Sequence, residues 1–364
     1  MKWSIRLGTY FGIPVYMHLT FLLLLAWVGA IHWTHTHRLD ATLTGVLFIV
    51  IIFACVVLHE LGHALAARRY GIPTRDITLL PIGGVARLER MPDDPRQELW
   101  VAIAGPLVNV VIAGALAVWL TVTNLMVPAN SVSITTGPFL QRVMAVNVFL
   151  VLFNLLPAFP MDGGRVLRAL LARRIEYTRA THIAATVGQT MALLFGFVGL
   201  FVNPMLIFIA FFVWIGAAQE SSMVQMQSSL AGIPVSRAMV TDFRTLAPGD
   251  TLADAVDLTL AGTQKDFPVV DGGRVVGVLT HRDMIAALSA SGKEVRVGDA
   301  MQTDFEVVGA YDMLETAFTR LRACKCNTAP VALQGQLVGL VTMDNIGEFM
   351  SIQGALGNRP RVRT

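Results

Sequence analysis

The sequence predicts a polytopic α-helical membrane protein of about six transmembrane helices, followed by a smaller soluble α/β module at the C-terminus. Of its 364 residues, 54% are hydrophobic and only 15% are charged, whereas about 25% are charged in an average globular chain. The net charge is +5 over residues 1–220 and −2 over residues 221–364, which indicates two different domains. The total of +3 is too small to indicate a nucleic-acid partner, and we predict none.

Six apolar segments are long enough, or nearly so, to cross the roughly 30 Å hydrocarbon core of a lipid bilayer. They lie at about 17–33, 43–67, 98–122, 140–159, 180–202 and 204–219. The first is short, and only Asn203-Pro204 separates the last two.

The basic residues of the membrane half are distributed unevenly between the two sides of these segments. Of the fifteen Lys and Arg residues, only Arg38 and Arg142 fall outside the N-terminal side and the alternate loops that share it. The loop at about 122–139 carries no charge. The positive-inside rule therefore predicts a multi-pass protein of the cell membrane, with both termini and the C-terminal module in the cytoplasm.

The C-terminal part contains an internal repeat with an offset of 62 residues. Ala238-Met239, Pro268, Gly277 and Thr280 recur as Ala300-Met301, Pro330, Gly339 and Thr342. Each copy has the pattern of a helix, two strands around a turn and a second helix. This pattern resembles a tandem pair of CBS domains, at 235–290 and 297–353, preceded by a linker at 221–234 and followed by a tail at 354–364.

The resemblance to CBS domains implies a cofactor, because many members bind an adenosine nucleotide in the cleft between the two copies. In this family a Thr-x-x-Asp motif contacts the ribose, and the first copy has Thr280 and Asp283 at these positions. The second copy departs from the motif, with Asn345 after Thr342. A purely structural module, or one that joins two chains as a homodimer, is the alternative, and both interpretations stay open.

The second apolar segment contains the motif His59-Glu60-Leu61-Gly62-His63. Two histidines at i and i+4 lie on one face of a helix, where both rings can reach a single Zn²⁺. Glu60 is placed to accept a proton from water without being a ligand. A polar patch that merely pairs helices is the alternative, but ionisable groups in an apolar helix are costly unless they have a function.

A catalytic zinc ion usually has three protein ligands, so a third donor is needed. Asp162 is the only carboxylate between Glu98 and Glu176, and it follows the fourth apolar segment on the same side of the membrane as the histidines. An isolated Asp-Gly pair is usually a turn. Spacing alone therefore leaves both a turn and a ligand open for Asp162.

The His-Glu-x-x-His motif, together with Asn154-x-x-Pro157-x-x-Pro160-x-Asp162-Gly163, resembles the site-2 protease family of intramembrane zinc metalloproteases over residues 1–220. The resemblance implies one Zn²⁺ bound by His59, His63 and Asp162, with Glu60 as the base. It implies that Asn154 holds the substrate or the transition state. The implied substrate is a membrane-anchored regulator, such as an anti-sigma factor or a membrane-bound transcription factor precursor, cleaved within or near its transmembrane segment.

Two further segments allow more than one interpretation. Pro81–Val85 contains glycines that permit a tight hairpin, and an extended edge there could pair with an unwound substrate. Asn109 either braces the metal site or forms a hydrogen bond between helices. Two other interpretations of the whole chain compete with the protease interpretation. One is a transporter or channel regulated by CBS domains, and the other is a catalytically inactive scaffold.

Overall fold

The computed structural model describes residues 3–81, 83–88, 92, 94–128, 137–324 and 327–357. Ile82 of the predicted hairpin, much of the predicted external loop, and residues 358–364 of the predicted tail lie outside this described part. The chain divides into two compact units, Met1–Val224 and Gln225–Thr364.

The first unit, which we call the membrane unit, is built mainly from helices. They are α1 (Leu19–Thr36), α2 (Leu39–Arg69), α3 (Pro95–Val122), α4 (Phe139–Asn154), α5 (Asp162–Ala172), α6 (Tyr177–Phe201) and α7 (Met205–Leu230). Five of these are long and apolar enough to cross a membrane, and α4 is apolar but shorter, with 16 residues. The predicted fold class of about six membrane helices is confirmed. Helix α7 continues to Leu230, so most of the predicted linker at 221–234 is helical.

Helix α4 ends earlier than the hydrophobic pattern predicts, at Asn154 rather than near residue 159. Proline has no N–H to continue a helix, and Pro157 and Pro160 follow closely. The irregular stretch between α4 and α5 is nevertheless buried in the membrane unit, with Phe159 only 1% exposed. Gly216 of α7 permits this packing, because a Cβ there would lie 2.6 Å from Pro160 Cδ.

Four short strands that the hydrophobic pattern did not predict form one sheet beside α2. They are β1 (Ser4–Tyr10), β2 (Ile13–His18), β3 (Thr74–Leu80) and β4 (Gly83–Leu88). The sheet order is β1-β2-β3-β4, with β2 and β3 parallel and the two outer pairs antiparallel. Val15 and Ile77 pack against Leu61 of α2 in a buried apolar cluster. Strand β4 is therefore a sheet edge fixed against the helix that carries the His-Glu-x-x-His motif.

The second unit contains the two predicted repeats. The first copy consists of α8 (Leu252–Ala261), β5 (Phe267–Asp271), β6 (Arg274–Leu279) and α9 (His281–Ser291), and a short α10 (Val297–Ala300) follows. The second copy consists of β7 (Val308–Gly309), α11 (Leu314–Cys324), β8 (Thr328–Leu333), β9 (Gln336–Thr342) and α12 (Met343–Gly357). Thr251 and Asp254 form a capping box at the start of α8, and these hydrogen bonds lower the pKa of the Asp254 carboxyl.

The repeat in sequence is also a repeat in strand pairing. Leu246 pairs in parallel with Val269 in the first copy, and Val308 pairs in the same way with Val331 in the second. The first segment of each copy pairs with the sheet of the other copy, through Val240 with Leu340 and Gln302 with Val278. The two copies therefore share backbone hydrogen bonds and form one folded module.

Candidate metal centre

The two histidines of the motif and the aspartate meet at one point inside the membrane unit. His59 Nε2 and His63 Nε2 are 3.1 Å apart, and they lie 3.2 Å and 3.1 Å from Asp162 Oδ2. All three side chains are buried, with exposures of 6%, 4% and 7%. They are the one set of at least three His, Cys, Asp or Glu side chains, within the described residues, that is arranged to hold a metal ion.

The helices place these three groups by register and by close packing. His59 and His63 are one turn apart on α2, and Asp162 is the first residue of α5, directly after the irregular stretch. Gly105 of α3 faces the ring of His63, and a Cβ at that position would overlap the ring. A glycine is therefore required on α3 for His63 to reach the cluster.

The hydrogen bonds of the outer ring nitrogens determine which atoms face the centre. His63 Nδ1 lies 2.7 Å from the backbone oxygen of Val101, which can only accept. His59 Nδ1 lies 2.7 Å from Asn109 Oδ1. In its neutral form, with the single proton on Nδ1, each imidazole presents the lone pair of Nε2 toward the carboxylate of Asp162. Two Nε2 atoms and one carboxylate oxygen at 3.1 to 3.2 Å from one another fit a bound cation, and two imidazoles with one carboxylate are a typical donor set for catalytic zinc.

Glu60 lies beside this cluster, where α2 packs on the edge strand. Its carboxylate Oε2 accepts a hydrogen bond from the backbone N–H of Ala86 in β4, at 3.2 Å. Strand β4 approaches closely enough that a Cβ on Gly84 would lie 2.9 Å from Glu60 Cγ. The carboxylate is therefore held at the sheet edge, one residue from a histidine of the cluster and only partly buried.

Asn154 is the last residue of α4 and is partly exposed. Its side chain makes no hydrogen bond to another residue in the described part of the chain, unlike Asn109, which contacts His59 directly. The structure thus brings His59, His63 and Asp162 into contact, whereas Asn154 makes no hydrogen bond to them. Its role stays a prediction.

Sequence reasoning left one buried cluster of charges in the membrane unit unnoticed. Arg168 of α5 is fully buried and donates to Glu98 of α3 and to Glu220 of α7. The only signal in the sequence was that charged residues stood inside or beside apolar segments. Arg168 had instead been counted as an ordinary basic residue of a cytoplasmic loop.

In the second unit, the Thr-x-x-Asp residues form a helix cap. Thr280 Oγ1 accepts from the backbone N–H of Asp283 at 3.2 Å and caps α9, and it also donates to the Asp283 carboxylate at 2.5 Å. Gln302 donates to the same carboxylate at 2.6 Å. Thr342 and Asn345 make the corresponding cap at α12. Helix capping alone accounts for this motif, so the ribose contact stays a prediction.

Comparison with known proteins finds two family profiles that match this chain. The profile of peptidase family M50 matches residues 47–126 and 120–195, and the CBS domain profile matches residues 235–290 and 297–351. Zinc metalloprotease MJ0392 of Methanocaldococcus jannaschii is 34% identical over 353 residues, covering 97% of each chain. A solved site-2 protease from the same organism is 40% identical, covers 60% of this chain and 95% of its own, and has a TM-score of 0.44.

A third relative, stage IV sporulation protein FB of Bacillus subtilis, is 30% identical over 151 residues, covering 41% of this chain and 49% of its own. The predicted resemblance and the predicted enzyme class are confirmed. The chain belongs to peptidase family M50, the site-2 protease family of membrane zinc metalloproteases, and carries a pair of CBS domains.

Proposed function

We propose that this protein hydrolyses a peptide bond within or near the transmembrane segment of a membrane-anchored regulatory protein, at a zinc ion held by His59, His63 and Asp162. The observation that carries this proposal is the convergence of three buried lone pairs on one point, with the Glu60 carboxylate beside them. Buried ionisable groups in a membrane helix are expensive and are kept where they serve a function. An inactive scaffold would have no need for all four.

Each residue has a separate task in this reaction. When bound, a zinc ion supplies Lewis-acid activation of water and of the scissile carbonyl. Glu60 accepts the proton of the attacking water and returns it to the leaving nitrogen, as general acid–base catalysis requires. Asn154 donates a hydrogen bond to the developing oxyanion.

The substrate must present an extended backbone to this site, because a membrane helix shields its peptide bonds by internal hydrogen bonding. Strand β4 offers a partner for such a segment, since it is the last strand of its sheet. Its contact with Glu60 through Ala86 supports strand addition next to the base. Helix-breaking residues in the substrate should therefore favour cleavage.

The protein is a multi-pass membrane protein, and we propose that both termini and the CBS pair face the cytoplasm. The support is the distribution of basic residues, of which only Arg38 and Arg142 fall on the opposite side. In a chain without other cysteines, an impermeant thiol reagent added from outside should label a cysteine at position 133 and not one at position 90. The reverse pattern would contradict the topology.

The activity can be tested with the purified full chain in lipid vesicles and a single-span test protein with Gly-Pro in its span. We expect cleavage inside the span, mapped by mass spectrometry, which a chelator abolishes and added Zn²⁺ restores. A test protein with an uninterrupted polyleucine span is the matched control and should be cleaved more slowly. Cleavage confined to soluble segments, or cleavage unaffected by the chelator, would contradict the proposal.

We further propose that an adenosine nucleotide binds the CBS pair and regulates proteolysis. Asp283 can accept hydrogen bonds from both ribose hydroxyls, whereas Asn345 has one carbonyl oxygen and no charge. Calorimetric titration of the full chain with ATP, ADP and AMP should show at most one strong site, weakened by Asp283→Ala and little changed by Asn345→Ala. A folded chain that binds none of the three would leave the module a structural or dimerising element.

A further inference from the structure

Three buried polar side chains form a hydrogen-bonded row across α2, α3 and α4, leading away from the metal centre. His59 Nδ1 contacts Asn109 Oδ1 at 2.7 Å, and Asn109 Nδ2 contacts Asn147 Oδ1 at 3.0 Å. Asn147 Nδ2 in turn contacts the backbone oxygen of Val143 at 2.9 Å. Asn109 and Asn147 are both 0% exposed. The row therefore has a fixed backbone group at one end and a zinc-ligand histidine at the other.

The far end of this row determines the direction of every bond in it. A backbone oxygen only accepts, so the Asn147 amide must direct its nitrogen toward Val143. The Asn147 oxygen then faces Asn109, which must present its own nitrogen there. The Asn109 oxygen is left to face His59 Nδ1, which must carry the proton. In the neutral ring, His59 Nε2 is then the unprotonated nitrogen, and it is the atom that faces Asp162.

We propose that Asn147 is a positioning residue for the zinc site, which acts by locking the amide of Asn109 and through it the tautomer of His59. The inference rests on the proposed zinc function. Asn147 makes no hydrogen bond to His59 or Asp162 within the described residues. Its nitrogen also lies 3.5 Å from Cys55 Sγ of α2, but its hydrogen-bonded link to the His59 ring passes through Asn109. Without Asn147, the Asn109 amide can turn over and offer its nitrogen to His59, which stabilises the tautomer whose Nε2 carries a proton and cannot bind metal.

A simple hydrogen bond between helices α3 and α4 would need no such direction. It would contribute to helix packing in the membrane, and its loss would leave the affinity for zinc unchanged. Outer hydrogen-bond partners of metal ligands, in contrast, typically change metal affinity by about ten- to a hundredfold. Measurements of zinc affinity and of stability therefore distinguish a residue that positions the zinc ligand from one that only packs two helices.

Helix α4 supplies a matched control for this experiment. Gln141 is a second buried amide on α4, 3% exposed, and it bonds the backbone of Val127 at 2.8 and 3.1 Å without contact to the metal centre. In the full chain, Asn147→Leu should weaken Zn²⁺ binding about ten- to a hundredfold in competition with a chromophoric chelator, whereas Gln141→Leu should leave it unchanged. Equal zinc affinity in both variants and the wild type would overturn the inference.

A second pair of variants tests the mechanism of locking. In Asn109→Asp, the carboxylate can only accept, so it holds the His59 proton on Nδ1 whichever way it turns. Adding Asn147→Leu to that variant should therefore no longer weaken Zn²⁺ binding. A loss as large as in the single Asn147→Leu variant would show that Asn147 acts through packing.

One measurement needs no folded variant of Asn147. In the zinc-free wild-type chain labelled with ¹⁵N at histidine, at a pH where the His59 ring is neutral, nuclear magnetic resonance should show its single proton on Nδ1. A neutral ring with the proton on Nε2 would overturn the inference. A wild-type chain that binds no Zn²⁺ in the competition assay would instead contradict the proposed function.

Discussion

Among the described residues of the membrane unit, two clusters of ionisable side chains lie mostly buried, and they differ in the charges they combine. The metal centre combines the Asp162 carboxylate with two imidazoles and includes no Lys or Arg. The second cluster places Arg168 between Glu98 and Glu220, with nitrogen–oxygen distances of 2.5 to 2.8 Å. We call these the metal cluster and the arginine cluster.

This difference distinguishes a candidate binding site from a structural ion-pair network. The arginine cluster carries its cation within the chain, and the guanidinium of Arg168 also lies over the rings of Phe159 and Tyr177, at 5.0 and 4.9 Å. The metal cluster has no such Lys or Arg, and under the proposed function a zinc ion supplies its cation. A buried set of acceptors without a cation therefore indicates a metal site, whereas a buried set that includes an arginine does not.

Helix α5 belongs to both clusters, since Asp162 begins it and Arg168 follows within the same helix. The arginine cluster ties this helix to Glu98 of α3 and Glu220 of α7. It thereby holds α5 from two sides, close to the residue that completes the metal cluster.

The largest effect should come from removing the carboxylate of the metal cluster. Asp162→Ala leaves two imidazoles, which under-coordinate a zinc ion, so both zinc occupancy and proteolysis should be lost. Metal analysis after gel filtration and the vesicle cleavage assay measure the two losses. Asp76→Ala is the control, because Asp76 is a similarly buried carboxylate, 5% exposed, that pairs with Arg87 in the sheet. Full zinc occupancy in Asp162→Ala would mean that the third ligand lies elsewhere.

A smaller effect, on stability, should come from removing the cation of the arginine cluster. Arg168→Met leaves Glu98, which is 1% exposed, without its partner, and breaking a buried pair in this way costs about 3–5 kcal/mol of unfolding free energy. The loss should be the same with and without a chelator, because the missing cation is part of the chain. Denaturant unfolding in detergent measures it, and Arg173→Met, at the exposed end of α5, should cost less than about 0.5 kcal/mol. If added Zn²⁺ restored the unfolding free energy of Arg168→Met, the proposed difference between the two clusters would be wrong.

The smallest effect should come from the outer partner of the arginine cluster. The Glu220 side chain is 32% exposed, so water can replace part of its bond to Arg168. Glu220→Gln should therefore lower the unfolding free energy by only about 1 kcal/mol or less, measured in the same way. A loss as large as that of Arg168→Met would mean that Glu220, rather than Glu98, carries most of the pairing.

The metal cluster could be predicted from sequence and the arginine cluster could not, for a physical reason. His59 and His63 are one helical turn apart, so a local motif encodes their geometry, and the family resemblance supplied Asp162. The partners of Arg168 lie 70 and 52 residues away in the chain, and no local pattern encodes such pairing. Asn147 escaped prediction for the same reason.

Prediction of secondary structure from the sequence has the same limit, because pairing between distant residues is not encoded locally. The long apolar helices follow from hydrophobicity, because a bilayer demands about 20 apolar residues for each span. The four-stranded sheet depends on pairing β2 with β3, whose residues are about sixty positions apart, as Val15 with Ile77. Its strands are also short, with six or seven residues each. The hydrophobic pattern likewise predicts a helix that extends past Asn154. Hydrophobicity contains no information about the N–H groups that Pro157 and Pro160 lack.

The central claim, that Glu60 is the base at a zinc ion bound by His59, His63 and Asp162, is tested most directly by Glu60→Gln. The amide cannot accept the proton of water, and the three ligands are untouched. Zinc content and span cleavage should be measured on the same purified samples of wild type and variant. We expect one zinc ion per chain in both, with cleavage by the variant reduced about 10²- to 10⁴-fold. Undiminished cleavage, or loss of zinc from the variant, would contradict the account.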